Sequence, residues 1–213
     1  MRSHWIQTAF ILAGLAAPGA AAAHAQTDVA ASLYGAFSES SSGNMVTQSP
    51  SNAAGGIIEV RHIDHPWFGY EGTYSYNRAN QTYIPLALPV EVPGACPTIG
   101  CPSYKPVAVS ANAHEIAGDW VASVKVANLR PFALAGVGLL LDVPSSGQTS
   151  TQSTTKPLYV YGAGVDWGLL PHLGLRFQYR GNLYHAPDLT KLYTSSSAFT
   201  HTAEPMIGIY FRL

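Results

Sequence analysis

The chain ends Ala203-Glu204-Pro205-Met206-Ile207-Gly208-Ile209-Tyr210-Phe211-Arg212-Leu213, and the alternation in this stretch decides the fold. Ile207, Ile209, Phe211 and Leu213 fall on one face of an extended chain. Glu204, Met206, Gly208, Tyr210 and Arg212 fall on the other. Side chains of a β-strand point to opposite faces with period two, so this is a strand with one apolar and one charged face. The same pattern recurs upstream. Leu173, Leu175, Phe177, Tyr179 and Leu183 oppose Arg176, Gln178, Arg180 and Asn182. Tyr159, Tyr161, Ala163, Val165 and Trp167 oppose Gly162, Gly164, Asp166 and Gly168. Phe68, Tyr70, Tyr74 and Tyr76 oppose Glu71, Thr73, Ser75 and Asn77. Weaker versions occupy 28–38, 55–63, 110–126 and 132–142, which makes about eight strands.

Charge supports the parity. Asp28, Glu59, Arg61, Glu71, Glu115, Asp119, Lys125, Asp142, Asp166, Arg176, Arg180, Glu204 and Arg212 all fall on the less apolar face of their segments. The connections alternate as well. Asp64-His65-Pro66, Asn128 to Pro131 and Leu169 to His172 are short turns. Residues 39–54, 78–108, 143–157 and 185–199 read as long loops rich in Ser, Thr, Gly, Asn and Pro. One tidy end and one elaborated end are what an all-β, eight-stranded antiparallel up-and-down barrel produces.

Composition decides which face meets which solvent. Of 213 residues only 11% are charged, and the formal net charge is -1. That excludes a nucleic-acid binder working through a basic face. Hydrophobic residues make up 47%, yet past residue 25 the longest apolar stretch, Pro131 to Leu141, is too short to cross a bilayer as a helix. In a soluble lipocalin-type barrel the apolar faces would line a cavity. In a transmembrane barrel they meet lipid and the charged faces fill the interior. Two features select lipid. Gly136, Gly138, Gly162, Gly164, Gly168, Gly174 and Gly208 share the charged parity, where a narrow lumen needs room for long side chains. Trp67, Phe68, Tyr159, Tyr161, Trp167, Tyr184 and Phe211 lie near strand ends, where aromatic girdles sit.

At this point the chain resembles the OmpA-like small outer-membrane barrels. The resemblance rests on the eight strands, on Gly208-Ile209-Tyr210-Phe211-Arg212-Leu213, and on Gly162-Ala163-Gly164-Val165-Asp166 followed by Leu173-Gly174-Leu175-Arg176. It covers Gln26 to Leu213 and departs at Leu213, where the family usually has an aromatic residue. It implies a bacterial outer-membrane location, contact with outer-membrane lipid, and insertion by the barrel-assembly machinery, with no cofactor.

Export is expected independently. Arg2 and His4 precede an apolar core from Ile6 to Ala17, and Ala23-His24-Ala25 supplies the small-x-small cleavage pattern. The segment 1–25 therefore reads as a signal peptide and 26–213 as the barrel domain. The two cysteines, Cys96 and Cys101, then meet an oxidising compartment and read as a small disulfide loop. Closing so short a loop is worth roughly 2 kcal/mol on the chain-entropy view.

Function follows from what the charged face can do. An eight-stranded lumen is about wide enough to be filled by side chains. The residues expected to form a lumen charge network are Glu59, Arg61, Glu71, Glu115, Asp119, Asp166, Arg176, Arg180, Glu204 and Arg212. Aligning the last two hairpins sets Asp166 against Arg176 and Arg180 near Glu204. This predicts a barrel plugged by paired charges, with a structural or surface-interaction role and a surface ligand met by the outer loops. Two alternatives remain open: an outer-leaflet lipid A deacylase and a narrow ion-conducting pore. A deacylase needs Ser, His and an acid together at one rim. His185, His201, Ser195 to Ser197 and Glu204 are the loose candidates, and His201-Thr202-Ala203 lacks the family-like His-x-Ser arrangement. His62 and His65 beside Asp64 are better explained as a polar turn than as a metal site.

The cysteine pair yields a direct test. Thiol alkylation of unreduced protein from an oxidising compartment should label neither Cys96 nor Cys101, and reduction should expose both while leaving the barrel folded. Labelling of both before reduction would exclude the bond.

Overall fold

The computed structural model describes residues 26–65, 67–85, 106–145, 147, 150–193 and 196–213. The expected signal peptide, the disulfide pair Cys96 and Cys101, and Ser195 lie outside the described residues.

Ten strands form one antiparallel sheet: β1 (Gln26–Ser38), β2 (Ser41–Gly43), β3 (Val46–Pro50), β4 (Ala53–His65), β5 (Phe68–Pro85), β6 (Val107–Ser123), β7 (Leu129–Pro144), β8 (Thr154–Gly168), β9 (Leu173–His185) and β10 (Phe199–Arg212). Eight of them close a barrel in the order β1-β4-β5-β6-β7-β8-β9-β10, and β10 pairs back onto β1 from Asp28↔Arg212 to Ser38↔Thr202. Closure leaves no unpaired edge in the wall, which is the condition for a sheet to sit in lipid.

The wall is inside out relative to a soluble protein. Leu33, Ile58, Val60, Ile116, Trp120, Val137, Leu139, Ile207 and Ile209 are all exposed on the outer surface. Asp28, Glu59, Arg61, Glu71, Asp166, Arg176, Arg180 and Glu204 are all buried inside. No helix among the described residues is long and apolar enough to cross a membrane. The wall itself supplies the apolar surface, and strands of 13 to 18 residues exceed the about 9–11 needed to cross.

The long connections are shorter than the sequence expectation; 143–157, for example, loses 143–144 to β7 and 154–157 to β8. Residues 39–54 were expected to be a loop, but they form the β2–β3 hairpin, and β3 continues the line of β4 against β5. The hairpin turns on Asn44 and Met45, both with positive φ (49° and 62°), the left-handed pair that a two-residue hairpin requires. Loop 78–108 also loses its first eight residues to β5, which runs to Pro85, and its last two to β6, which begins at Val107. The β5–β6 ladder continues to Tyr83↔Val107, with Tyr83, Val109 and Ala111 turned inward and Asn80, Ser110 and Asn112 on the other face. At the other end β6 stops at Ser123, three residues before the expected 126, because Val126 bridges Leu129 in a tight turn. Lys125 is therefore exposed in a turn and does not share the interior.

The β6–β8 side of the interior contributes an apolar cluster of Ala117, Val121, Phe132, Leu134, Leu158 and Val160, joined by Ile63 of β4. Buried charges enter from every strand of the ring, including Glu115 and Asp119 of β6, Asp142 of β7 and Asp166 of β8. Large inward rings need facing glycines. A Cβ on Gly164 would stand 2.5 Å from the Phe132 ring, and one on Gly174 would stand 2.5 Å from the Tyr210 ring. These positions explain why glycine shares the charged parity.

Candidate functional site: the lumen and its outer cap

Two cross-strand pairs set the centre of the lumen. Arg61 and Glu71 are direct partners in the β4–β5 ladder, and Asp166 and Arg176 are direct partners in the β8–β9 ladder. These ladders lie on opposite sides of the eight-stranded ring. Arg61 Nε donates to Glu71 Oε2 at 2.6 Å, and Arg176 Nε donates to Asp166 Oδ1 at 2.7 Å. The pairs also meet across the axis. Arg61 Nη1 donates to Asp166 Oδ2 at 3.2 Å, and Arg176 Nη1 donates to Glu71 Oε2 at 3.3 Å. Glu59 closes the cluster at 3.3 Å from Arg176 Nη1 and accepts from Ser32 at 3.2 Å. Every side chain here is buried. Phe132 lies beneath, with the Arg61 guanidinium 3.9 Å from its ring centroid. A planar guanidinium suits this arrangement, because it donates in a fixed fork and stacks on a ring at the same time.

Below this cluster, toward the short turns, Asp28 faces Arg130 Nη1 at 3.5 Å and Arg212 Nε at 3.6 Å. Arg212 thus sits at the mouth, partly exposed, rather than in the central cluster. Arg130 was read as a turn residue, but its place on β7 turns it inward, where Nη2 donates to Gln26 Oε1 at 2.6 Å. Its parity with Phe132 was the available signal.

Above the cluster the pairing thins. Arg180 and Glu204 are ladder partners, as the hairpin alignment expects. The Arg180 head, however, lies 3.8 Å from Glu115 on β6 and donates to Thr73 at 3.4 Å. Asn182 Nδ2 donates to Glu115 Oε2 at 3.0 Å. The carboxylates of Glu204 and Asp119 have no hydrogen-bond partner among the described residues. A guanidinium on a long stem reaches across the lumen, so register alone does not choose its partner.

The outer mouth is covered. Residues 186–193 of the β9–β10 connection cross it, with Thr190 bridging Thr151. Tyr83 fastens this segment: its hydroxyl donates to Pro187 O at 2.8 Å and accepts from Leu189 N at 2.7 Å. Burial raises the Tyr83 phenol above its ordinary pKa, so it remains a donor at any physiological pH. Val46, Tyr83, Val109, Ala111 and Leu189 form a small apolar core under the cap. On the hairpin side, Ser196 donates to Gln48 at 3.1 Å. Sequence reading missed Tyr83, because nothing in a loop-like stretch marks which tyrosine is buried.

Among the described candidates, Glu204, His201 and Ser196 do not converge. Glu204 points into the lumen, whereas His201, three residues earlier, points outward and stacks on Tyr161, with Nε2 2.9 Å from its hydroxyl. Ser196 is buried against Gln48. At the other end both ring nitrogens of His62 are engaged, one 2.8 Å from the Thr27 hydroxyl and the other 2.9 Å from Asp64.

A closed antiparallel wall, apolar outside and ionic inside, defines an integral membrane β-barrel. Residues 8–200 match the outer membrane protein beta-barrel domain family, and the chain belongs to it. No curated protein sequence gives a significant match. Three solved structures show the same fold. Ail, the attachment invasion locus protein of Yersinia pestis, was solved in complex with the heparin analogue sucrose octasulfate. It is 13% identical with a TM-score of 0.54, over 90% of this chain and 100% of that one. Neisserial surface protein A is 15% identical with a TM-score of 0.56, over 89% and 99%. OprG from Pseudomonas aeruginosa is 8% identical with a TM-score of 0.58, over 88% and 96%.

Two measurements test this geometry. Asp166→Ala and Arg176→Ala should each destabilise the refolded barrel by about 3–5 kcal/mol in denaturant titrations, less any relief from lumen water. The double variant should recover part of the loss, but not all, because Asp166 also holds Arg61; additivity of the single effects would refute the contact. Tyr83→Phe removes two hydrogen bonds of about 0.5–1.5 kcal/mol each. It should speed proteolysis within 186–193 while leaving the heat-modifiable mobility of the barrel unchanged.

Proposed function

We propose that this chain is a non-conducting outer-membrane barrel that acts through its outer cap as a surface-interaction protein. The observation that supports this best is the Arg61–Glu71–Asp166–Arg176 cluster, which spans the lumen from β4–β5 to β8–β9. The interior of an eight-stranded barrel is about one side-chain layer wide, so a cluster joined across the axis closes it. With the lumen closed, the surface available to the outside is the β2–β3 hairpin, the ends of β5 and β6, and the β7–β8 and β9–β10 segments.

The chemistry of that surface indicates the kind of ligand. Glu39, Arg78, Lys156, Asp188 and Lys191 are the charged residues flanking or within these described outer segments, and they leave a net charge of only +1. Ser, Thr, Asn and Gln supply the rest. The Ail structure holds a polyanion, sucrose octasulfate, but this cap lacks the cationic excess a polyanion needs. A neutral, hydrogen-bonding partner, either an uncharged glycan or a polar protein face, fits better. Catalysis at the rim is not part of the proposal, since Glu204 and His201 point to opposite sides of the wall.

Planar-bilayer recording of the refolded protein should give no discrete conductance steps in molar potassium chloride. Regular steps in the wild type, abolished by strengthening no loop contact, would replace this reading with that of a pore.

A further inference from the structure

We infer that the mouth of the lumen at the short-turn end is a binding site for a phosphate group, held by Lys125, Arg130 and Arg212. The central ionic cluster divides the lumen, and the cap covers the outer side. The other side opens into a cavity of about 290 Å³, lined by these three cations. That is roughly twenty times the space one water needs, so an oxyanion with a substituent fits.

The cations of this mouth outnumber its carboxylates. Among the described residues the one carboxylate in the cavity lining is Asp166. It is committed to the central cluster, 2.7 Å from Arg176 Nε and 3.2 Å from Arg61 Nη1. Asp28 answers the two arginines of the mouth, but at 3.5 Å from Arg130 Nη1 and 3.6 Å from Arg212 Nε. Both distances are long for a charge-assisted hydrogen bond, and one carboxylate serves two guanidinium groups. Lys125 is exposed in its turn and pairs with no carboxylate among the described residues. The second observation is Arg212 Nε, which is buried and has no hydrogen-bond partner among the described residues. A buried donor in this state is costly unless an acceptor meets it.

Charge and geometry select the class of anion. Three cations less Asp28 leave the mouth at +2. A phosphate monoester carries about −1.5 to −2 near neutral pH and offers three acceptor oxygens. A carboxylate brings one charge and two oxygens, and would leave one cation unmet. The backbone holds two of the cations in place beforehand. Lys125 lies between the bonds Val124 N to Pro131 O (3.1 Å) and Val126 N to Leu129 O (2.8 Å), and Arg212 N donates to His172 O at 2.8 Å. Leu169 and Leu170 line the same cavity and are exposed, so a substituent on the phosphate meets apolar surface. A lipid headgroup of the adjoining leaflet and a soluble phosphate ester both supply this chemistry. The central guanidinium cluster bars the way inward, so the anion is held at the mouth rather than conducted.

The test is titration calorimetry on the refolded barrel in a maltoside detergent, which carries no phosphate, at constant ionic strength. Glycerol 3-phosphate and dihexanoyl phosphatidic acid present the same phosphate monoester without and with acyl chains. At least one should bind the wild type saturably. Similar affinities for the two assign the site to a soluble ester, and a preference for the second of about tenfold or more assigns it to lipid. The Lys125→Gln/Arg212→Gln double variant should bind the preferred probe at least about tenfold more weakly. Lys156→Gln, at the other end of the barrel, should leave that affinity unchanged. Should the double variant not fold, Lys125→Gln alone, in an exposed turn, gives the second measurement, with a loss of about threefold. Dihexanoylglycerol, which has the chains and no phosphate, should not compete. Failure of both phosphate probes to bind, an affinity unchanged in Lys125→Gln and in the double variant, or competition by dihexanoylglycerol would each overturn the site.

Discussion

Two guanidinium groups are enclosed in a ring only eight strands wide, and the carboxylates of the barrel centre are arranged around them. Arg61 and Arg176 each touch Glu71 and Asp166, so each cation has one partner in its own ladder and one across the axis. A single ladder pair would hold two strands together. The crossed contacts hold opposite walls at a fixed distance. Replacing such a cluster by apolar residues of the same volume need not destabilise a protein, whereas breaking it leaves an uncompensated buried charge. Its value is therefore geometric. A slip of one residue in either ladder would send these charges into lipid, so the cluster ties the register of the sheet to the membrane.

The same constraint explains residues that otherwise look unrelated. Phe132 supports Arg61 from below, and Gly164 gives its ring room. The apolar cluster from Ala117 to Val160 gives long side chains a surface to lie against, as the Arg61 guanidinium does on Phe132, while Asp166 of the same side meets both guanidinium groups.

Strand parity was legible in the sequence because lipid outside and ions inside enforce period two more strictly than a soluble sheet does. Asp166 against Arg176 followed from aligning the hairpin about the short Leu169–His172 turn, with face parity excluding every one-residue slip. The partner of Arg180 did not follow, since its stem reaches Glu115 across the lumen and ladder position is silent about reach. Arg130 and Phe132 were hidden for a different reason: β7 alternates small and large apolar residues on both faces, so hydrophobicity there does not separate inside from outside. The β2–β3 hairpin and the upper parts of β5 and β6 were hidden because their outer face no longer meets lipid, so only the small inward core of Val46, Tyr83, Val109 and Ala111 keeps an apolar side.

That loss of pattern marks a change in what holds the chain together. Within the membrane, unpaired backbone groups are prohibitively costly, so the ladder is complete whatever the side chains are. Beyond it the strands persist only where side chains supply reasons: the Tyr83 hydroxyl gripping Pro187 and Leu189, Gln48 under Ser196, and the small core around Val109. Each of these can be altered without changing the wall. The cap is therefore the part of the molecule whose stability and surface chemistry can vary independently of membrane insertion, because its contacts are made by side chains and not by the ladder of the wall.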